Sequence, residues 1–292
     1  MAATKSCMRS KGDVAFSVIN GVLLFLFAVF TLMPIVNILA TSLSTHSLPV
    51  VFWPAKWDLF AMRSVLTESN FYRAFFVSIA VTVLGTFISV LCMVLAAYPL
   101  SKKELPLRQT IMIYFFISML FSGGMVPNYI LVSSIGLTNT LFAMILPNAV
   151  MVFHLILMKA FFEGIPTSLE ESARLDGAGN LRVLFSIVLP LSMSMLITVC
   201  LFTAVVYWNN YFNALMYISA SHSNLYPLPF YIINLSDQFR DPNAPIVMGD
   251  KFKYEQNIIA ATIILSMLPI CLTYPFFLKY FTKGVVVGAV KG

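Results

Sequence analysis

Two groups of residues have types and spacings that could do chemistry. Glu170, Glu171, Arg174 and Asp176 put four charges within seven residues of a chain that is 59% hydrophobic and only 10% charged. Tyr207, Trp208, Asn209, Asn210, Tyr211 and Asn213 join flat aromatic faces to neutral amides, a set suited to stacking on rings and hydrogen-bonding hydroxyls. Neither group is a catalytic constellation. The sequence has no His-Glu-x-x-His metal motif, no nucleophile constellation and no Gly-x-x-x-x-Gly-Lys-Ser/Thr loop to cradle phosphates. The chain is therefore expected to make and break no bonds and to bind no cofactor of its own. Cys92, Cys200 and Cys271 fall inside apolar runs, and Cys7 precedes the first of them, so neither a disulfide nor a metal site is expected.

The elements that must position these groups follow from composition. The chain has 292 residues, 26 of them Phe, and a mean hydropathy of +0.88, which places it among integral membrane proteins. A hydrocarbon core of about 30 Å needs about 20 apolar residues per helix. Six runs meet that need, at residues 18–39, 75–95, 111–132, 141–162, 191–215 and 258–281. The expectation is an all-α bundle of six transmembrane helices forming one domain over residues 1–292. The first run follows Lys5, Arg9 and Lys11 as a signal peptide would, but it is too long for the apolar part of one and lacks a small-residue cleavage site, so it is read as a retained helix.

Basic residues set the orientation. Twelve of the eighteen fall on one side: Lys5, Arg9, Lys11, Lys102, Lys103, Arg108, Lys159, Arg174, Arg182, Lys279, Lys283 and Lys291. That side is cytoplasmic by the positive-inside rule, and six spans then leave both termini there. The formal charge of +6 reports this topology and not nucleic-acid binding.

Residues 163–190 must leave the bilayer, because one charge at a helix centre costs roughly 2.5 to 3.5 kcal/mol on insertion scales and this segment carries several. The pattern predicts a short helix over 169–176. Pro166 lies before it, Ser168 and Glu171 form a possible capping box, and Gly177 is placed for a left-handed end. A helix so short is unstable alone in water and must lean on something. Ser172 and Ala173 are small and share a face with Leu169, so another surface could approach closely there. Asn180 could cap a second helix re-entering the membrane near Pro190. Physics leaves two readings, a docking element or a capped connector.

Polar residues inside spans are candidates for a translocation path, since they are costly facing lipid. Trp208, Asn209, Asn210, Tyr211 and Asn213 fit that role, and they fit equally an interfacial aromatic belt with amide bonds between helices. Gly123, Gly124 and Pro127 should break the third span, which makes Asn128 and Tyr129 secondary path candidates. His154, the one ionisable residue well inside a span, reads as a packing or hydrogen-bonding group. Two long outer loops, 41–72 and 219–257, could be solvated connectors or carry function.

The run Glu171-Ser172-Ala173, then Asp176-Gly177-Ala178, and finally Ile187 to Leu189 and Pro190 resembles the EAA loop of permease subunits in bacterial ATP-binding-cassette importers, with Ser172 standing where Ala is usual. "FSGGMVPNYILVSSIGLTNT" from Phe121, "WNNYFNAL" from Trp208 and the terminal "KGVVVGAVKG" from Lys283 are similar to the LplC-like and YtcP-like branch of carbohydrate-uptake permeases. That branch includes components of importers for uronic-acid oligosaccharides such as alginate.

The resemblance implies a multi-pass protein of the bacterial cytoplasmic membrane. It implies that Glu170, Glu171, Ser172, Ala173, Asp176, Gly177 and Ala178 form a coupling helix docking on a cytoplasmic ATPase, and that the tail with Gly288, Lys291 and Gly292 reaches the same partner. ATP and Mg would sit on two ATPase subunits. A second permease, a solute-binding protein and an oligosaccharide substrate complete the expected partners, with lipid around the spans. The alternative is an ion-coupled transporter, which would be expected to carry ionisable groups in its spans; these have none beyond His154.

Overall fold

The computed structural model describes residues 11–45, 52–54, 56–240 and 255–289. Among them the regular structure is helical, apart from one isolated antiparallel bridge between Ser44 and Trp57. The helices are α1 (Lys11–Ser42), α2 (Phe60–Thr67), α3 (Ser69–Ser101), α4 (Arg108–Leu120), α5 (Met125–Ser134), α6 (Leu141–Ile145) and α7 (Val152–Glu163). They continue with α8 (Thr167–Leu175), α9 (Asn180–Val183), α10 (Leu189–Leu191), α11 (Met193–Trp208), α12 (Phe212–Tyr217), α13 (Leu228–Arg240) and α14 (Glu255–Ala289).

Three helices are long and apolar enough to cross a membrane unaided: Ala15–Ser42 within α1, all of α3, and Glu255–Phe276 within α14. The other three expected spans are bent pairs, so there are six crossings if each pair counts as one. Arg108–Leu120 and Met125–Ser134 meet at 113°, where Gly124 takes φ +88, a conformation that L side chains rarely adopt. The expected break at Gly123-Gly124 is therefore present. The 52° bend between Leu141–Asn148 and Val152–Glu163 and the 85° bend between Asn180–Leu191 and Met193–Trp208 were not expected. The first follows a 3-10 turn over Leu146–Asn148 that contains Pro147. The second follows a π-helical stretch over Leu184–Val188 and Pro190, and Ser192 leaves helical geometry at φ −100, ψ 12. Residues 191–215 are thus not one helix: the chain turns at Ser192, stops at Trp208 and resumes in α12.

Contacts divide the chain into two units, Met1–Thr67 with Gln238–Leu265, and Glu68–Asp237 with Ser266–Gly292. In the first, Asn257 Nδ2 donates to the carbonyls of Thr41 (2.7 Å) and Ser44 (2.8 Å). Asp58 caps α2 by accepting from the Phe60 N–H at 2.8 Å, and Trp53 and Trp57 pack edge to face at 5.6 Å. The expected outer loop 41–72 is therefore mostly ordered by helix ends and α2; its Pro49 lies outside the described residues.

The second unit holds the main core. Met93, Val94, Ala97, Tyr98 and Leu100 of α3 meet Leu155, Met158 and Phe162 of α7, with Val183, Leu184, Val188 and Val199 closing the cluster. Residues of 219–257 are likewise partly ordered, since α13 runs from Leu228 to Arg240 and its Leu228 N–H donates to Ser78 Oγ at 2.7 Å. Asp241, Pro242 and Pro245 lie outside the described residues.

Candidate functional site

The charged segment forms a nine-residue helix, α8, with an inner and an outer face. It begins at Thr167 with Pro166 at the N-cap position and no side-chain cap. Proline enters with φ already near helical values and has no N–H to satisfy, so the helix starts ahead of Ser168. The expected capping box is consequently absent: Ser168 lies inside the first turn, its carbonyl accepts from Ser172 Oγ at 2.9 Å, and Glu171 is exposed. The far end follows the expectation. Gly177 has φ +82, its N–H bonds to the Arg174 carbonyl at 3.0 Å, and the Ala178 N–H bonds to the Ala173 carbonyl at 2.9 Å, which is the Schellman pairing.

Glu170 is turned inward and is only 5% exposed. Its carboxylate is paired with Lys102 at the end of α3 and accepts from the Tyr98 hydroxyl at 3.4 Å; Lys102 Nζ also lies 4.7 Å from the Tyr98 ring centre. Ala173 and Ala178 rest against the core, so the face shared by Leu169, Ser172 and Ala173 is open only in part. Arg174 donates to Asn180 Oδ1 at 3.2 Å. Asn180 is therefore an acceptor for α8 and not the cap of α9, whose N-cap position is taken by Gly179. The outer face keeps Glu171, Ser172 and Asp176 exposed, and Leu175 is 90% exposed. Leu175 escaped notice in the sequence; its signal is an apolar side chain at the end of a charged helix too short to have a buried stripe of its own.

The aromatic and amide run folds mainly onto the chain itself. Tyr207 is buried; its hydroxyl donates to the Ile145 carbonyl at 3.0 Å and shares a 2.7 Å hydrogen bond with Ser89 Oγ. Trp208 is buried and meets Phe75 edge to face at 6.3 Å. Asn210 and Asn213 both reach the Met144 carbonyl, at 3.4 and 3.3 Å. Asn209 donates to the Val205 carbonyl at 2.9 Å, and Tyr211 is exposed.

A cavity of about 500 Å³ brings Asn213 together with Asn128 of the broken span. Asn148 and Tyr217 line it too, and Tyr129 lies parallel to Tyr217 at 6.3 Å. Trp208, Asn209, Asn210 and Tyr211 are not among its lining residues. Asn148 was missed in the sequence; its signal was an amide next to a proline in the middle of an apolar run. The cavity lining carries three amides and no ionised side chain, an arrangement able to hydrogen-bond hydroxyl groups.

Elsewhere, His154 is buried, with Nδ1 3.2 Å from Thr203 Oγ1 and its ring stacked near Phe202, as expected for a packing group. On α13, burial and then the Glu68 carboxylate push the Tyr231 phenol up to about 12. Gly288 lies in the last turn of α14; Lys291 and Gly292 lie outside the described residues. The described residues contain no cluster of metal-ligating side chains.

Bent apolar helices around an amide-lined cavity, with a capped polar helix between two of the spans, define an integral membrane transport subunit. No protein-family profile matches the chain, but individual relatives do. The polygalacturonan/rhamnogalacturonan transport system permease protein YtcP of Bacillus subtilis (strain 168) is 39% identical over 274 residues, 92% of this chain and 96% of that one. Protein LplC of the same organism is 36% identical over 298 residues, covering both chains completely. The chain thus belongs to the carbohydrate ABC transporter permeases. In a solved bacterial ABC transporter involved in the import of the acidic polysaccharide alginate, one chain superposes with a TM-score of 0.85 at 30% identity, over 94% of this chain and 100% of that one. A chain of a bacterial alginate ABC transporter in complex with an alginate pentasaccharide-bound periplasmic protein shares the fold, with a TM-score of 0.61 at 16% identity over 91% of this chain and 93% of that one.

Proposed function

We propose that this chain is one of two permease subunits of an ATP-driven, binding-protein-dependent importer that moves an oligosaccharide across the bacterial cytoplasmic membrane by alternating access. The observation that carries this reading is α8: a helix anchored inward by Glu170 and capped by Gly177, yet presenting Leu175, Glu171 and Asp176 outward. Its exposed face is the docking surface for an ATPase subunit, and the Glu170–Lys102 pair makes α3 follow its movement. Closure of the ATPases would then be transmitted to the spans around the cavity. Both termini face the cytoplasm in this arrangement, all 292 residues act as one transmembrane domain, and the C-terminal tail with Gly288, Lys291 and Gly292 contributes to the ATPase contact. ATP and Mg are bound by the ATPases.

The substrate we favour is a uronate-containing oligosaccharide. Two lines of kinship support it: the YtcP relative is named for polygalacturonan and rhamnogalacturonan transport, and the alginate importer supplies the similar solved chain. Asn128, Asn148 and Asn213 fit hydroxyl groups along such a chain. Its carboxylates would be met by the companion permease or by the external binding protein, because the cavity lining has no cation.

Proteoliposomes holding the assembled complex test the reading. Uptake of uronate oligosaccharides should require internal ATP and the binding protein, and should survive collapse of the proton gradient. Uptake that ignores ATP and stops with the gradient would identify an ion-coupled transporter instead. Neutral oligosaccharides transported in preference to uronates would remove the substrate assignment alone.

A further inference from the structure

A second cavity, of about 540 Å³, lies where the α3–α4 connection meets α7. Lys103, Arg108, Lys159 and Gln109 line it, together with Met112 and Phe116. Glu163 is the carboxylate beside it, and it already holds both Arg108 and Lys159, the latter at 2.9 Å. Three cations therefore face one carboxylate. Lys103 is exposed and has no ion-pair partner among the described residues. The next carboxylate along the connection, Glu104, lines a different cleft with Lys102 and Arg174.

Two further features point to what the excess charge attracts. The cavity sits at the start of α4, a 13-residue helix with no side-chain N-cap, and the positive end of a helix dipole adds to the field of the lysines. From there α4 runs as the first half of a bent span; Met112 and Phe115 turn toward the core, no residue of α4 is fully buried, and Ile113, Phe116 and Leu120 are exposed along it. A ligand complementary to both parts has an anionic phosphate at one end and a long apolar tail at the other.

We infer that Lys103, Arg108, Lys159 and the start of α4 bind the phosphate of an anionic phospholipid, whose acyl chains lie along the exposed face of α4. The inference rests on reading α4 with α5 as a membrane crossing whose charged end lies at the membrane–water boundary. Basic pockets in that position attract anionic headgroups, and each lysine near the surface strengthens binding about fivefold. A free phosphate would use the same cations but gain nothing from Phe116 or Leu120.

Native mass spectrometry of the assembled complex tests this, after exchange into phosphatidylglycerol or into phosphatidylcholine. Phosphatidylglycerol should stay bound and phosphatidylcholine should not. Lys103→Gln should lower retention about fivefold, Lys103→Arg should restore it, and Lys159→Met should give a second, independent loss. Equal retention of the two lipids overturns the site. Displacement of phosphatidylglycerol by millimolar inorganic phosphate, or equal thermal protection by phosphate alone, shows a free-anion site and overturns the lipid assignment. Sugar uptake is not the readout, so a negative result here leaves the transport reading standing, and loss of uptake with lipid still bound leaves the lipid site standing.

Discussion

The segments Glu170–Gly177 and Tyr207–Asn213 are equally conspicuous in an apolar sequence, yet the fold uses them in opposite ways. In the first, one carboxylate is spent inward, on Lys102 and Tyr98, and the remaining polar groups stay on the surface. In the second, most groups are spent inward: Tyr207 on Ile145 and Ser89, Trp208 on Phe75, Asn210 and Asn213 on Met144, with Asn213 also lining a cavity. Polarity within an apolar chain thus marks where backbone breaks and helix contacts must be satisfied as readily as it marks a ligand.

Substitutions in the two segments and in the cavity sharpen or break that contrast, taken from the largest expected effect downward. Gly177→Val forces a β-branched residue to φ +82, which only glycine visits without steric cost. Substrate-stimulated ATP hydrolysis and uptake should fall together by more than tenfold, and wild-type values for both would show α8 to be a mere connector. Trp208→Ala removes a buried aromatic and should cost about 3 to 5 kcal/mol of stability, seen as a lower unfolding temperature with KM for sugar unchanged; a raised KM at normal stability would return Trp208 to the path.

Glu170→Ala leaves Lys102 unpaired and should cost about 2 to 3 kcal/mol, whereas Glu171→Ala should stay within about 0.5 kcal/mol because its side chain is exposed and caps nothing. The paired change Glu170→Met with Lys102→Met should recover most of the loss, and a double variant as unstable as Glu170→Ala would argue against the pair. Asn128→Ala should remove a single hydrogen bond to substrate, about 0.5 to 1.5 kcal/mol, read as a two- to tenfold rise in KM without a change in unfolding temperature. An unchanged KM would take the amide cavity out of the path.

The spans were legible because about 20 apolar residues are needed per crossing, and α1, α3 and α14 extend their predicted runs at both ends. The glycine stop of α8 was legible because only glycine fits φ +82 freely. The N-terminal cap was not, because Pro166 and Ser168 offer competing starts and sequence does not rank them. The bends at Pro147 and Ser192 were hidden because each lies within an otherwise continuous apolar run, where hydropathy continues through a turn in the backbone. Burial of Glu170 could not be read either, since its partner Lys102 lies 68 positions away and only packing of α3 on the core brings the two together.

Cross-linking from the two faces of α8 tests the account most directly. Single cysteines at Leu175 and at Glu170, placed in the assembled complex after its free cysteines are replaced, report which surface meets the ATPase. The account predicts that Leu175→Cys cross-links to an ATPase subunit with a yield that changes when ATP binds, and that Glu170→Cys gives no such product. An active complex in which Leu175→Cys cross-links to no ATPase subunit in any nucleotide state would contradict it.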